Sequence, residues 1–189
     1  MGVTRNRKGI LYYDSKYGST LQISQWIVEE IKSSTVTIER ISGDCCRAGS
    51  AAFYILGTPI YIGKPMQSMI DFLSENKKIL SNKNIFLFIT SWAQSTKYYE
   101  ECESFLDLIK FLLAPLSPIS ICSLPGKLYL DRVSSQDRKT MERILRRIDN
   151  MTAEFQSKKI IFNDQTDEKL SRKFGREINE WITNQSDFL

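Results

Sequence analysis

The chain has 189 residues, 42% of them hydrophobic and 25% charged, with a net charge of +4. That is the composition of a soluble globular protein with length enough for one sizeable core, and no window approaches the ~20 unbroken apolar residues of a membrane span. With no histidine at all, Ser-His-Asp and Cys-His catalysis, histidine-ligated zinc and a histidine proton switch are excluded, so redox or transfer chemistry must come mostly from a bound cofactor.

The basic N-terminus MGVTRNRKGI lacks the apolar stretch and small-residue cleavage site of a secretory signal. Asn6 also stands where a myristoylation signal needs a hydroxyl. GILYYD (9–14) is predicted as a buried strand, and 20–33 as a helix with Ile23, Trp26, Ile27 and Ile31 on one face. VTIERI (36–41) alternates as an edge strand does. The polar stretch 42–50 is a loop carrying vicinal Cys45 and Cys46, a poor geometry for a disulfide or a tetrahedral zinc site. AAFYILG (51–57) is a third, continuously apolar strand. TPIYIGKP then leads to a helix opened by Pro65, with Met66, Met69, Ile70 and Leu73 inward.

NIFLFIT (84–90) is a fourth strand. After SWAQSTK, a helix over about 98–113 is predicted to bury Cys102, Phe105, Leu106, Ile109, Leu112 and Leu113. Pro115 and Pro118 stop it, and ISICSL (119–124) is the fifth strand. Cys102 and Cys122 lie in apolar stretches and read as small buried hydrophobes of a reduced, cytoplasmic chain. PGKLYLDRV introduces a basic amphipathic helix with Met141, Ile144, Leu145 and Ile148 at helical spacing. The strand-like KKIIF (158–162) precedes a last helix, about 166–184, burying Leu170, Phe174, Ile178, Trp181 and Ile182.

Five rounds of strand–helix alternation specify an α/β protein whose parallel sheet is covered on both faces. Right-handed crossovers leave a doubly wound five-stranded sheet of order 2-1-3-4-5 as the commonest topology. It is expected as one domain over 1–189, with a basic helical insertion at about 126–157 before the last helix. Ligands of such sheets sit beyond the carboxyl ends of the strands, beside strands one and three.

Three loops meet at that edge. The first is Ser15, Lys16, Tyr17, Gly18, Ser19 and Thr20. A phosphate there would meet a helix N-terminus, hydroxyls and a glycine that lets the backbone come close. Capping of the helix by Ser19 or Thr20 explains the same residues equally well. The loop lacks both the P-loop ending and G-x-G-x-x-G, which argues against triphosphate hydrolysis and a Rossmann dinucleotide site. The second loop carries Thr58, Pro59, Ile60, Tyr61, Ile62 and Gly63, and the third Ser91, Trp92, Ala93 and Gln94. Apolar and aromatic loop residues are costly unless something flat covers them, although Tyr61 and Trp92 could each fold back onto the core. A ligand with a phosphate tail and a flat ring, such as FMN, suits the three together.

YDSKYGST resembles the FMN phosphate loop of the flavodoxin-like family, and GTPIYIGKPMQSMIDFL resembles its second FMN loop and the helix after it. The tail from GKLYLDRV to KFGREI resembles the branch containing the menaquinone-dependent protoporphyrinogen oxidases. This resemblance implies a flavodoxin-like fold, FMN bound by the sixteen loop residues named above, and a flavin that carries hydride or electrons with no catalytic acid or base from the protein. It implies an oxidoreductase passing electrons between a small-molecule redox substrate and a quinone-type acceptor, protoporphyrinogen oxidase-like in character. A flavodoxin electron carrier and a flavin-less binding module remain as alternatives. Asp14 stands where the family carries a small or polar residue, and Lys16 is expected to offset its charge. Tyr129 is the one aromatic of the segment GKLYLDRVSSQDRKTM, where the branch is richer in aromatics. Electron-carrier flavodoxins are strongly acidic, whereas this chain has a pI near 8.8. That favours an anionic substrate or peripheral contact of the basic segment 127–147 with an anionic membrane at its inner face, with no nucleic acid among its partners. A solvated helix face explains the same charges.

Overall fold

β1 (Lys8–Tyr13) lies between β2 (Thr35–Arg40) and β3 (Phe53–Tyr61), parallel to both. β5 (Asn84–Ser91) and β6 (Ser120–Pro125) continue the sheet beyond β3, giving the order β2-β1-β3-β5-β6. β4 is the two-residue Lys64–Pro65, an antiparallel hairpin arm on β3. Leaving it aside, the five-stranded parallel sheet has the expected order 2-1-3-4-5 and the flavodoxin-like topology. β7 (Lys127–Tyr129) and β8 (Phe162–Asp164) form a separate antiparallel pair. The helices are α1 (Ser19–Glu29), α2 (Gln67–Leu80) and α3 (Glu168–Ser186), with a helical turn at 135–140 and helical residues between 106 and 113. The computed structural model describes residues 7–41, 47–61, 63–95, 106–107, 109–111, 113–114, 116, 118–129, 134–140 and 162–186.

Side chains alternate across a strand, so a sheet buried on both faces divides its apolar residues by parity. Ile10, Tyr12, Tyr54, Leu56, Ile85, Leu87 and Ile89 face one way, against Met69, Phe72 and Leu73 of α2 and against Ile109, Leu113 and Leu116. Leu11, Tyr13, Phe53, Ile55, Phe86 and Phe88 face the other, against Ile23 and Ile27 of α1 and Phe174, Ile178 and Ile182 of α3. On this second face α3 lies against α1 so closely that a Cβ on Gly175 would fall inside contact distance of the Ile27 carbonyl oxygen. Arg172 then reaches Glu29, Glu30 and Glu168 at 2.6, 2.9 and 2.7 Å. Glu30 is held below the usual carboxylate range, chiefly by its hydrogen bond from Arg172.

Several boundaries differ from expectation. β3 runs on to Tyr61 because it gains both β5 and the β4 arm as partners, so residues 58–61 are strand and not loop. Pro65 consequently belongs to β4, and α2 begins at Gln67 with Met66 as its N-cap. α1 ends at Glu29, four residues early, although Ile31 is still buried. β2 alternates and is largely exposed, as an edge strand should be. Phe111 is 78% exposed. Cys45, Cys46, Cys102, Phe105, Leu112, Met141, Ile144, Leu145, Ile148 and 158–161 lie outside the described residues.

Candidate functional site

The first loop turns from β1 into α1 at the switch point. Gly18 is the N-cap of α1 at φ 90, with no side-chain cap. That backbone region favours glycine, and a Cβ there would meet nothing within 4 Å, so the dihedral and not crowding requires it. The Ser15 Oγ accepts from the Gly18 N–H at 2.9 Å. The first helical bond runs from the Gln22 N–H to the Gly18 carbonyl at 3.2 Å, so the amides of Ser19, Thr20 and Leu21 have no partner inside the helix. Ser19 and Thr20 do not cap α1. Thr20 is fully buried with its hydroxyl 3.3 Å from that of Thr90 on β5. The Thr20 hydroxyl is thereby turned into the sheet and away from the first-turn amides.

Asp14, at the end of β1, is buried and well partnered. Its carboxylate accepts from the Ser15 N–H at 2.6 Å and from the Ser68 hydroxyl at the start of α2, and the Arg40 Nε lies 3.9 Å away. Arg40 also donates to the Ser15 carbonyl at 2.8 Å. The charge of Asp14 is thus offset by Arg40, not by Lys16 as expected from sequence. Lys16 points elsewhere: its ammonium lies 3.0 Å from the Asp137 carboxylate and 4.2 Å over the Tyr61 ring.

The second and third segments lie beside this loop at the ends of β3 and β5. Thr58 is buried, and its hydroxyl accepts from the Met66 N–H at 3.4 Å, tying β3 to the start of α2. Pro59 pairs in register with Thr90, and Ile60 packs back against the core. Gly63, at φ 78, turns the hairpin, and Ile62 lies outside the described residues. Tyr61 is half-buried, its hydroxyl 3.2 Å from that of Tyr17 with ring centroids 6.0 Å apart. Burial first, then hydrogen bonds to Tyr17 and Asp137, push its phenol well above the usual value. Asp137 is held low, chiefly by its hydrogen bond from Lys16. Ser91 is the buried last residue of β5. Trp92, Ala93 and Gln94 form a 3-10 turn in which Trp92 is half-buried and Gln94 accepts from the Ser123 hydroxyl at 2.7 Å.

Lys16, Tyr17 and Tyr61 are therefore brought together, whereas the Gln94 side chain is committed to β6. Sequence reasoning missed Arg40, Ser68 and Asp137. Arg40 carries a usable signal, a cation ending strand two at the ligand edge. Asp137 carries none, because its position depends on how its segment docks. Burial pushes the Cys122 thiol up to about 11, so it stays protonated and is no nucleophile near neutral pH. Among the described residues no acidic or cysteine cluster could hold a metal ion, and no helix is long and apolar enough to cross a membrane.

A doubly wound sheet with a helix opened by a left-handed glycine at its switch point, flanked by two aromatic-bearing strand ends, defines a class of α/β protein rather than a single activity. Within that class the chain belongs to the flavodoxin-domain family, whose model matches residues 10–156. It is similar in structure to an archaeal flavodoxin, with a TM-score of 0.51 and 14% identity over 93% of this chain and 99% of that one. Oxidised flavodoxin 1 of Bacillus cereus gives 0.49 and 15% over 76% and 99%, and an FMN-bound flavoprotein of Lactobacillus acidophilus gives 0.48 and 16% over 62% and 93%. At such identities the likeness concerns the fold. No curated protein matches the chain.

Proposed function

We propose that this flavodoxin-domain protein binds FMN and uses it as an oxidoreductase. The observation that carries the reading is the first loop: a left-handed Gly18, three first-turn amides without helical partners, and Ser15 at the switch point. Ser19 and its neighbours would hold the phosphate, while Tyr61 and Trp92 would flank the flat ring. When bound, the flavin supplies hydride or single-electron transfer. The chain's own residues bind and orient it and keep water from one edge. FAD would need a second nucleotide site, and no second phosphate fingerprint stands in the sequence.

An enzyme is favoured over an electron carrier by the pI near 8.8, which suits an anionic substrate or surface better than a basic protein partner. The finer reading is transfer from a reduced substrate, porphyrinogen-like in chemistry, to a quinone-type acceptor; the basic segment after β6 supports it. The test is the visible spectrum of purified protein and chromatography of flavin released by heat, followed by anaerobic turnover with quinones and porphyrinogen. Released FMN with quinone-coupled turnover is expected. Colourless protein that takes up no FMN in calorimetry overturns the flavin reading, and bound FMN with no turnover by any small acceptor makes it a carrier.

A further inference from the structure

Among the described residues Asp14 is the one buried acid, its side chain 6% exposed. A buried charge is costly unless it is paired and hydrogen-bonded. This one also stands directly before the first loop, and its carboxylate accepts from the Ser15 N–H at 2.6 Å. The Ser68 hydroxyl is a second donor. Both donors are neutral, so they satisfy the oxygens without cancelling the charge. Left uncancelled, that charge would repel a phosphate held by the same loop.

The cation that answers it comes from the neighbouring strand. Parallel pairing of β1 with β2 sets Arg40 opposite Tyr13, at the last register position of the pair. Its Nε lies 3.9 Å from the Asp14 carboxylate, and its Nη2 donates to the Ser15 carbonyl at 2.8 Å. A planar guanidinium can face two acceptors at once, whereas an ammonium is a point charge. Ser15 is therefore gripped on both sides, its N–H by Asp14 and its carbonyl by Arg40. Its Oγ in turn accepts from the Gly18 N–H at 2.9 Å, which carries the grip to the start of α1. Lys16, the loop's own cation, is paired with Asp137 instead.

We infer that Arg40 is a positioning residue that sets anion specificity: by cancelling the charge of Asp14 and holding Ser15, it lets the first loop accept a phosphate ester in preference to the uncharged alcohol. The inference rests on the FMN reading for the identity of the ester, and inorganic phosphate tests the loop without it. The Arg40 side chain is 58% exposed, so solvent screens it. The expected effect is the low end for a hydrogen bond to a charged group, about tenfold.

Fluorescence titration of full-length protein with FMN and with riboflavin reads the ratio of the two dissociation constants. Arg40→Gln should shrink the advantage of FMN about tenfold, with riboflavin changed by less than about twofold. Asp14→Asn should keep that advantage, because an amide still accepts from Ser15 and can donate to Ser68. The double variant should regain most of it, since the charge that Arg40 cancels is gone. A merely structural Arg40 would weaken both flavins alike and gain nothing from Asp14→Asn; either result overturns the inference. Melting in inorganic phosphate, against chloride at equal ionic strength, is the arm without flavin. Phosphate should raise the melting temperature of wild type and double variant, and that of Arg40→Gln much less. FMN binding with an unchanged ratio in Arg40→Gln overturns the inference and leaves the FMN reading standing. A wild type that takes up no FMN but shows the phosphate pattern upholds Arg40 and sinks the FMN reading. A wild type that responds to neither sinks both.

Discussion

Gly18 and Gly63 both occupy the left-handed region, one at the start of α1 and one at the tip of the β3–β4 hairpin. A Cβ at either would meet no described atom within 4 Å, so the first effect of a substitution there is on the backbone. A β-branched residue held there costs about 1–3 kcal/mol, which the loop relieves by moving. Gly18→Val should therefore displace the first-turn amides and weaken FMN by roughly 10–100-fold, while weakening riboflavin, which has no phosphate, by much less. Gly63→Val should weaken both ligands alike, because it acts at the ring end. Fluorescence titration with the two flavins measures this, and equal losses at Gly18 would show that no phosphate is held there. At 15–20 the turn from β1 into α1 was legible, because a glycine among hydroxyls after an apolar run marks a strand's end and a helix's start, and Gly18 is the left-handed N-cap there. The partner of Asp14 was not: Arg40 ends another strand, and only parallel pairing of β1 with β2 brings the two together.

Elements were readable where a buried parallel strand demands an apolar run, as in ILYY of β1, FYIL of β3 and IFLFI of β5. Their ends were less so. Pro65 suits the first turn of a helix as well as a hairpin arm, and pairing of Tyr61 with Lys64 decides for the hairpin. Gly175 is a second case in which tertiary structure explains a local anomaly, since a mid-helix glycine costs about 1 kcal/mol relative to alanine. Its reason is the close approach of α3 to the Ile27 carbonyl on α1, a backbone atom that cannot rotate aside. Gly175→Ala should therefore lose about 1–3 kcal/mol of packing against about 1 kcal/mol of regained helix propensity. The net result is a lower urea midpoint, with the contacts of Arg172 to Glu29 and Glu30 loosened alongside. A raised midpoint, as at an unconstrained helical glycine, would show that the helices can part at no cost.

On the scale of the whole molecule, the segment after β6 divides into parts with different duties. Lys127, counted in the sequence with the basic patch, is only 13% exposed and committed to Asp164, so it anchors the segment. Asp137 pairs with Lys16 of the first loop, and Arg138 and Lys139 beside it are exposed. Arg143, Arg146 and Arg147 continue the basic run and lie outside the described residues; none belongs to the three loops assigned to the flavin. We expect this run to bring the chain to an anionic surface, each cation contributing about 1 kcal/mol near anionic lipid. Reversing all three arginines to glutamate changes the sign of the net charge and should cost at least about 3 kcal/mol of that attraction, roughly a hundredfold in partition. Wild-type protein should sediment with phosphatidylserine vesicles at low salt and be released as the Debye length shortens to about 8 Å near 0.15 M. The triple variant should stay in the supernatant at every salt concentration, with its flavin spectrum and its FMN release rate unchanged. Wild type that ignores the vesicles at low salt would reduce the run to a solvated helix face. A triple variant that loses FMN would mean that the arginines belong to the flavin site.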